Sequence, residues 1–211
     1  ISKGYAGNCY RRVVVSTNQA AGRPPATRHA AIEAAAFALF ARQGFDETTT
    51  DEIAEAAGIG RRTLFRYYPS KYDVPWGQFD ASLADFRAVL AHEPSGLPLW
   101  VAVQQGVARF NTFDDSVLDS HRARMRLILQ TPSLQAHSVL MYERWRAVIA
   151  DYVSARTGQP SDSLLPRSVG HVSLALAISA YEQWLKPRPP RLTVLLDRAM
   201  NGLRDYLQPH G

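Results

Sequence analysis

The chain has 211 residues, of which 46% are hydrophobic, enough to build a packed core in one or two domains. Its formal charge is +5 and its isoelectric point is near 9.6, a mild basic excess that suits a polyanionic partner without demanding one. One cysteine, Cys9, excludes a disulfide framework and favours a cytoplasmic protein; the six histidines lack ligand spacing, which argues against a structural zinc, and no apolar run approaches a membrane span.

Residues 1–26 read as a basic arm. Lys3, Arg11, Arg12 and Arg23 precede the first acid, Glu33, and Gly22 with Pro24 and Pro25 resists regular structure. The triplet Val13, Val14 and Val15 is too short for a secretory signal. The first Met is Met125, so one reading of residues 1 to 14 is a tag or an upstream start. The arm either reaches a DNA minor groove or has no role. The first helix is expected from Arg28 to Gln43, capped by Thr27, with Ile32, Ala36, Phe37, Leu39 and Phe40 at helical spacing. Gly44 closes it and Phe45 plugs the turn.

Residues 49–71 read TTDEIAEAAGIGRRTLFRYYPSK, a helix-turn-helix. Thr49 or Thr50 is the expected N-cap, with Asp51 and Glu52 in the first turn, where the helix dipole favours acids. Ile53, Ala54 and Ala57 form a short apolar face. Gly58 stands where a left-handed residue ends the helix. A second helix, Arg61 to Tyr68, is expected to bury Leu64 and to be ended by Pro69. Its outer face carries Arg61, Arg62, Thr63, Arg66 and Tyr67, side chains that hydrogen-bond base edges and phosphates in a major groove. Basic charge is densest here: residues 1–75 hold ten Lys/Arg against seven Asp/Glu, and residues 76–211 hold fourteen against twelve.

From Arg28 to Val74 the chain resembles the TetR family of bacterial transcriptional regulators. The residues that carry the resemblance are Thr50, Ile53-Ala54, Ala57-Gly58, Thr63-Leu64-Phe65, Tyr67-Tyr68, Ser70 and Lys71. The resemblance implies a DNA-contacting set of Thr49, Thr50, Gly60, Arg61, Arg62, Thr63, Phe65, Arg66, Tyr67 and Lys71, with Lys71 on a phosphate. Two members depart from the family. Phe65 stands where the family often has a Tyr whose hydroxyl meets a phosphate, and Gly60 stands where a Ser often caps the helix. Residues 72–80 are similar to regulators found beside mycofactocin gene clusters.

A fourth helix is expected from Ser70 to about Ala91, opened by a Ser70–Asp73 capping box and loosened at Pro75-Trp76-Gly77. Further helices follow from Leu97 to Phe113, Ser116 to Gln130, Ser133 to Thr157, Asp162 to Lys186 and Arg191 to Gln208. No segment reads as a strand. The fold class is therefore all-α with about nine helices. The domains are the arm 1–26, a three-helix DNA-binding unit 27–75, and a larger helical ligand-binding and dimerisation domain 76–211.

The last two helices are apolar nearly all round and so need cover on both sides. A second copy of the chain would supply it, with Leu176, Ala177, Ala180, Leu192, Leu195 and Leu196 in a four-helix interface; burial within one chain is the alternative. The family resemblance implies an effector cavity, with Trp100, Phe110, Phe113, Met125, Leu129, Met141, Trp145 and Tyr181 as candidate lining; ordinary core packing is the competing role for each. The basic run His121, Arg122, Arg124 and Arg126 is expected mostly at the surface, and an inward member would favour an anionic effector such as an acyl-thioester of coenzyme A. No glycine-rich phosphate loop, nucleophile elbow or paired-histidine metal helix is present, so no enzyme, cofactor or metal is expected. The expected function is a ligand-responsive regulator, a repressor that binds a palindromic operator as a homodimer and is released by a small molecule. The alternative is a helical interaction protein with little or no DNA binding.

Overall fold

The computed structural model describes residues 25–207, and the arm before Pro25 lies outside them. Nine α-helices and one 3-10 helix account for the regular structure of the described residues, and no strand occurs among them. None of these helices is long and apolar enough to cross a membrane. The contacts divide the chain into two units between Gln78 and Phe79.

The first unit begins with α1, Pro25–Gln43. It starts earlier than the expected Thr27 cap because a proline at the first helical position gives up only an N–H that has no partner there. Helices α2, Thr50–Ala56, and α3, Arg61–Tyr67, follow, and then a 3-10 helix, Lys71–Trp76. Ile32, Ala36, Leu39 and Phe40 of α1 meet Phe45, Ile53, Leu64 and Val74 in a buried core.

The expected single helix from Ser70 to Ala91 is broken. The Ser70–Asp73 capping box forms, but Pro75 denies the chain an N–H donor and Gly77 takes φ 58, ψ −135. That backbone region is open only to glycine at low cost, so the helix restarts as α4 at Phe79.

The second unit contains α4 Phe79–Ala91, α5 Leu99–Phe110, α6 Asp115–Gln130, α7 Pro132–Thr157, α8 Leu164–Trp184 and α9 Leu192–Leu207. Gly158, in the left-handed conformation at φ 72, ends α7 one residue after the expected Thr157. Phe86 is the centre of the core. Its ring stacks on Phe110 at 4.5 Å and on Trp145 at 5.2 Å, and it has no exposed surface. The α4–α5 loop is pinned by Arg156, which donates to the carbonyls of Ser95 (2.9 Å) and Leu97 (2.7 Å). The carboxylate of Glu93, with no exposed side-chain surface, pairs with Arg109 at 2.9 Å.

The apolar texture of α8 and α9 is consumed differently from expectation. Ala177, Ala180, Leu192 and Leu196 are buried in the chain's own core, while Leu176 and Leu195 are half-buried. Helix α8 packs against both α7 and α9. The apolar surface that remains exposed includes Leu164, Leu165, Val172 and Val194.

Lys71, expected on a phosphate, has a structural task within the first unit. Its ammonium donates to the carbonyls of Phe45 (2.9 Å), Asp46 (2.9 Å) and Thr48 (2.8 Å), and lies 4.7 Å from the centre of the Phe45 ring. An ammonium has three protons, and all three are spent closing the turn between α1 and α2. Lys71→Ala should therefore destabilise the first unit by about 2 kcal/mol, through the lost charge-assisted bonds. Urea denaturation followed by far-UV circular dichroism checks this; an unchanged midpoint together with a shallower salt dependence of DNA binding would return Lys71 to the phosphate role.

Candidate nucleic-acid interface

Helix α2 starts at a two-way cap. The Thr49 hydroxyl accepts from the Glu52 N–H at 3.2 Å, and the Glu52 carboxylate accepts from the Thr49 N–H at 2.8 Å. The Thr49 N–H first, then the Gln43 amide (3.1 Å) and the Thr49 hydroxyl, hold the Glu52 carboxyl below its ordinary range. Two orphan donors of a short helix are thereby satisfied. Thr49 is occupied in this way, and Thr50 is the first residue of α2.

The turn into α3 uses Gly58 at φ 66, which lets the chain reverse within a few residues. Ile59 is half-buried and Gly60 is the N-cap of α3, with no side chain to bond the free N–H groups. Those donors at the start of α3 are left to other acceptors.

Helix α3 divides cleanly by exposure. Leu64 is buried, and Tyr68, its C-cap, is 2% exposed. Arg61, Arg62, Phe65 and Arg66 are exposed, and Thr63 and Tyr67 are half-buried. Arg61 is engaged: its guanidinium meets Asp51 at 3.2 Å and lies 5.5 Å from the Phe65 ring centre. Both partners of that ion pair are more than half exposed, so it is worth little and yields readily to a stronger anion. Arg66 lies over Tyr67 at 5.6 Å. Arg62 has no partner among the described residues, and its five donors face solvent.

Two residues that the sequence reading passed over fasten α3 to α1. The Tyr68 hydroxyl donates to the Glu33 carboxylate at 2.8 Å and lies 3.0 Å from Nδ1 of His29. The His29 ring also sits edge-on to Tyr67 at 4.8 Å and to Tyr68 at 5.3 Å. Burial lowers the His29 pKa from its ordinary 6.5, and the Glu33 charge opposes that shift. His29 and Glu33 are four apart on α1, a spacing that places both on one face, which was the available signal.

In the second unit the eight candidate lining residues do not converge on one space. Trp100 lines an apolar groove of about 340 Å³ between α5, α8 and α9, with Val103, Val172, Leu176, Met200 and Leu203. The Arg204 guanidinium covers the Trp100 ring at 4.7 Å. Trp145 and Phe110 belong to the aromatic stack on Phe86. Phe113, Met125 and Leu129 are only partly buried and lie against the core from the side of α6. Met141 is half-buried on α7.

Tyr181 belongs to a polar chain that the sequence did not reveal. Its hydroxyl donates to Asn111 Oδ1 at 2.6 Å, and Nε2 of His121 lies 2.8 Å away. Because the tyrosine proton goes to Asn111, His121 donates through Nε2. Burial, with the positive charge of Arg124 adding to it, pushes the His121 pKa down to about 3, so the ring is neutral. Arg122, one of the basic run expected mostly at the surface, is an inward member: it donates to the Trp184 carbonyl at 2.7 Å and covers that ring at 4.5 Å. A cation at the last carbonyls of α8 also complements the helix dipole. Among the described residues no cluster of His, Cys, Asp and Glu is suited to hold a metal.

A short capped helix, a left-handed glycine turn and a basic second helix define a helix-turn-helix. Residues 32–74 match the family model for bacterial regulatory proteins of the tetR family, and the chain belongs to that family. Within it, residues 97–208 match the MftR C-terminal domain. The chain is 45% identical, over 85% of its length and 91% of the relative's, to a Mycobacterium tuberculosis (strain ATCC 25618 / H37Rv) protein named as the mycofactocin biosynthesis transcriptional regulator MftR. It is 30% identical, over 82% of its length and 80% of the relative's, to the HTH-type transcriptional regulator TcmR of Streptomyces glaucescens. Two solved structures share the fold. The fatty acid degradation regulator FadR of Bacillus halodurans matches with TM-score 0.59 at 16% identity, covering 89% of this chain and 99% of that one. Thermus thermophilus FadR, a transcriptional repressor in complex with lauroyl-CoA, matches with TM-score 0.54 at 22% identity, covering 87% and 96%. The chain is thus a DNA-binding transcriptional regulator of a family that consists of regulators and not of enzymes.

Proposed function

We propose that this regulator is a repressor that binds a two-fold symmetric operator as a homodimer and leaves it when a small anionic molecule binds the second unit. The observation that carries the reading is the outer face of α3, where Arg62 is exposed and unpaired while the inner face is consumed by Leu64 and Tyr68. Arg62 lies in the first turn of α3, the part that such helices insert deepest into the major groove. Its guanidinium donates two bonds to O6 and N7 of one guanine. Arg61, already beside an acid, exchanges Asp51 for a phosphate; Thr63 contacts a thymine methyl, and Arg66 and Tyr67 face a phosphate. Thr49, Thr50, Gly60 and Phe65 border this contact, the N–H groups after Gly60 among them.

The partner face of the homodimer runs along α8 and α9 through Val172, Leu176, Leu195 and Val194, the apolar side chains that the chain's own core leaves uncovered or half-covered. For the effector, α6 is the helix to displace. It buries only Ile128 fully and rests on the core through the partly buried Leu118, Met125 and Leu129. An element with so little buried surface opens at low cost. Opening it would bare Tyr181 and the α6 arginines, Met141 and the edge of the Phe110–Trp145 stack. The lauroyl-CoA held by a protein of the same fold makes an acyl-coenzyme A the first effector to test. Release is a population shift: the effector favours a spacing of the two α3 helices that cannot span successive major grooves. Helical interaction without DNA binding is the weaker reading, because the unpaired Arg62 has no use in it.

Arg62→Ala should cost roughly 1–3 kcal/mol on the operator and relax preference at one base position per half-site. Arg61→Ala should weaken operator and random duplex together. Binding isotherms at fixed salt separate the two, and an equal loss on both duplexes for Arg62→Ala would reverse the assignment. Leu176→Glu places a charge on the apolar partner face and should cost the dimer several kcal/mol; sedimentation should then find monomers, and an unchanged dimer would move the interface elsewhere. Lauroyl-CoA should weaken operator binding at least tenfold, a coupling of about 1.4 kcal/mol, and operator should weaken lauroyl-CoA binding by the same factor. An effector affinity indifferent to operator would remove this mechanism.

A further inference from the structure

Given the DNA-binding role of α3, the geometry points to His29 as an additional phosphate contact, one that binds DNA only by taking up a proton. The Tyr68 hydroxyl carries a single proton. That proton goes to the Glu33 carboxylate, 2.8 Å away, so the tyrosine oxygen must accept from His29, whose Nδ1 is 3.0 Å distant. His29 therefore carries its neutral-state proton on Nδ1. Its other nitrogen, Nε2, then presents a lone pair, and no described residue takes it.

The position of the ring makes that atom matter. His29 is half-buried, edge-on to Tyr67 at 4.8 Å, and Tyr67 is covered on its exposed side by the Arg66 guanidinium at 5.6 Å. A phosphate that engages Arg66 and Tyr67 comes within reach of the same histidine. A lone pair repels a phosphate oxygen. The imidazolium, with an N–H at Nε2, donates to it while keeping the Nδ1–Tyr68 bond intact. Nothing in the α1–α3 fastening has to break for this change.

The groups facing the ring set its balance. Glu33, on α1, favours the proton; the Tyr67 and Tyr68 rings face the imidazole from α3 and its C-cap, and Arg66 lies beyond Tyr67. Burial outweighs Glu33, so in the free protein the ring titrates below its ordinary value. A phosphate oxygen at Nε2 adds a negative charge and raises the pKa in the complex. The sign follows: the protonated form binds more tightly, so affinity rises as pH falls through the window between the bound and the free pKa values, and is lost above it. A bound-state shift of one unit corresponds to a tenfold change in affinity.

The test uses the full chain and a duplex enriched from a random pool by the protein itself. Affinity is measured against salt at pH 6 and pH 8. The expected result is up to tenfold tighter binding at pH 6, with a log–log salt slope steeper by about 0.9, one extra neutralised phosphate. His29→Asn keeps an amide donor for Tyr68 and cannot titrate; it should bind equally at both pH values, with one slope. The His29 ring pKa, followed by NMR in the wild-type protein with and without duplex, should rise on binding and does not depend on any variant folding. A pH-dependent slope retained in His29→Asn, or a ring pKa that stays or falls in the complex, overturns the assignment while leaving DNA binding in place. No duplex binding at either pH overturns the DNA-binding role and this inference with it.

Discussion

A seven-residue helix has no independent stability in water, because nucleation costs more than a few hydrogen bonds return. Helix α3 therefore exists only as long as its inner edge is held, and the first unit is arranged around that need. Leu64 is buried against α1 and α2, and Tyr68 is drawn into the Glu33–His29 pair. The capping box at Thr49 and Glu52 and the turn at Gly58 shorten α2 so that its partner can fold back. Lys71 then locks the α1–α2 turn beneath them through three carbonyls. The outward face of α3 is basic because the inward face has used the apolar residues, so the reading surface follows from the packing.

The second unit solves a different problem. Its core is aromatic, and Phe86, Phe110 and Trp145 fill it by stacking. Around that centre the polar groups that cannot escape burial are linked to one another. Tyr181, Asn111 and His121 form one chain, and Glu93 with Arg109 forms a pair. The Tyr181 chain satisfies groups whose burial would otherwise cost several kcal/mol each and gives α6 directional attachments beside its apolar ones, whereas the Glu93 carboxylate has its ion pair but no hydrogen-bond partner among the described residues. An element held in that way has discrete ways to let go, which is what a sensing domain needs.

Much of this was legible from local chemistry. The seams of the first helices lay close to their signals, at Gly44 and Gly58, because caps and breakers act over one or two residues. The resemblance from Arg28 to Val74 was equally local and led to the family directly. Two departures have different causes, one local and one set by a distant partner. The Ser70 signal opened only a 3-10 turn, since the conformation of Gly77 restarted the helix. Arg122 left the surface for the carbonyl of Trp184, sixty-two residues away.

What the sequence determined by itself was every property carried by neighbours along the chain: helical content, the helix-turn-helix, the basic outer face of α3 and the family. What only the tertiary structure decided was which of several equivalent partners each side chain met. Ala177, Ala180, Leu192 and Leu196 were as eligible for a second chain as for their own core, and the core took them. Lys71 was as suited to a carbonyl as to a phosphate, and the fold brought three carbonyls within its reach. Tyr68 found Glu33 and His29 across the small unit, and with them the one orientation of the imidazole that leaves Nε2 open. Periodicity ranks faces by polarity but carries no distance between residues far apart in the chain, and these choices were all choices of distance.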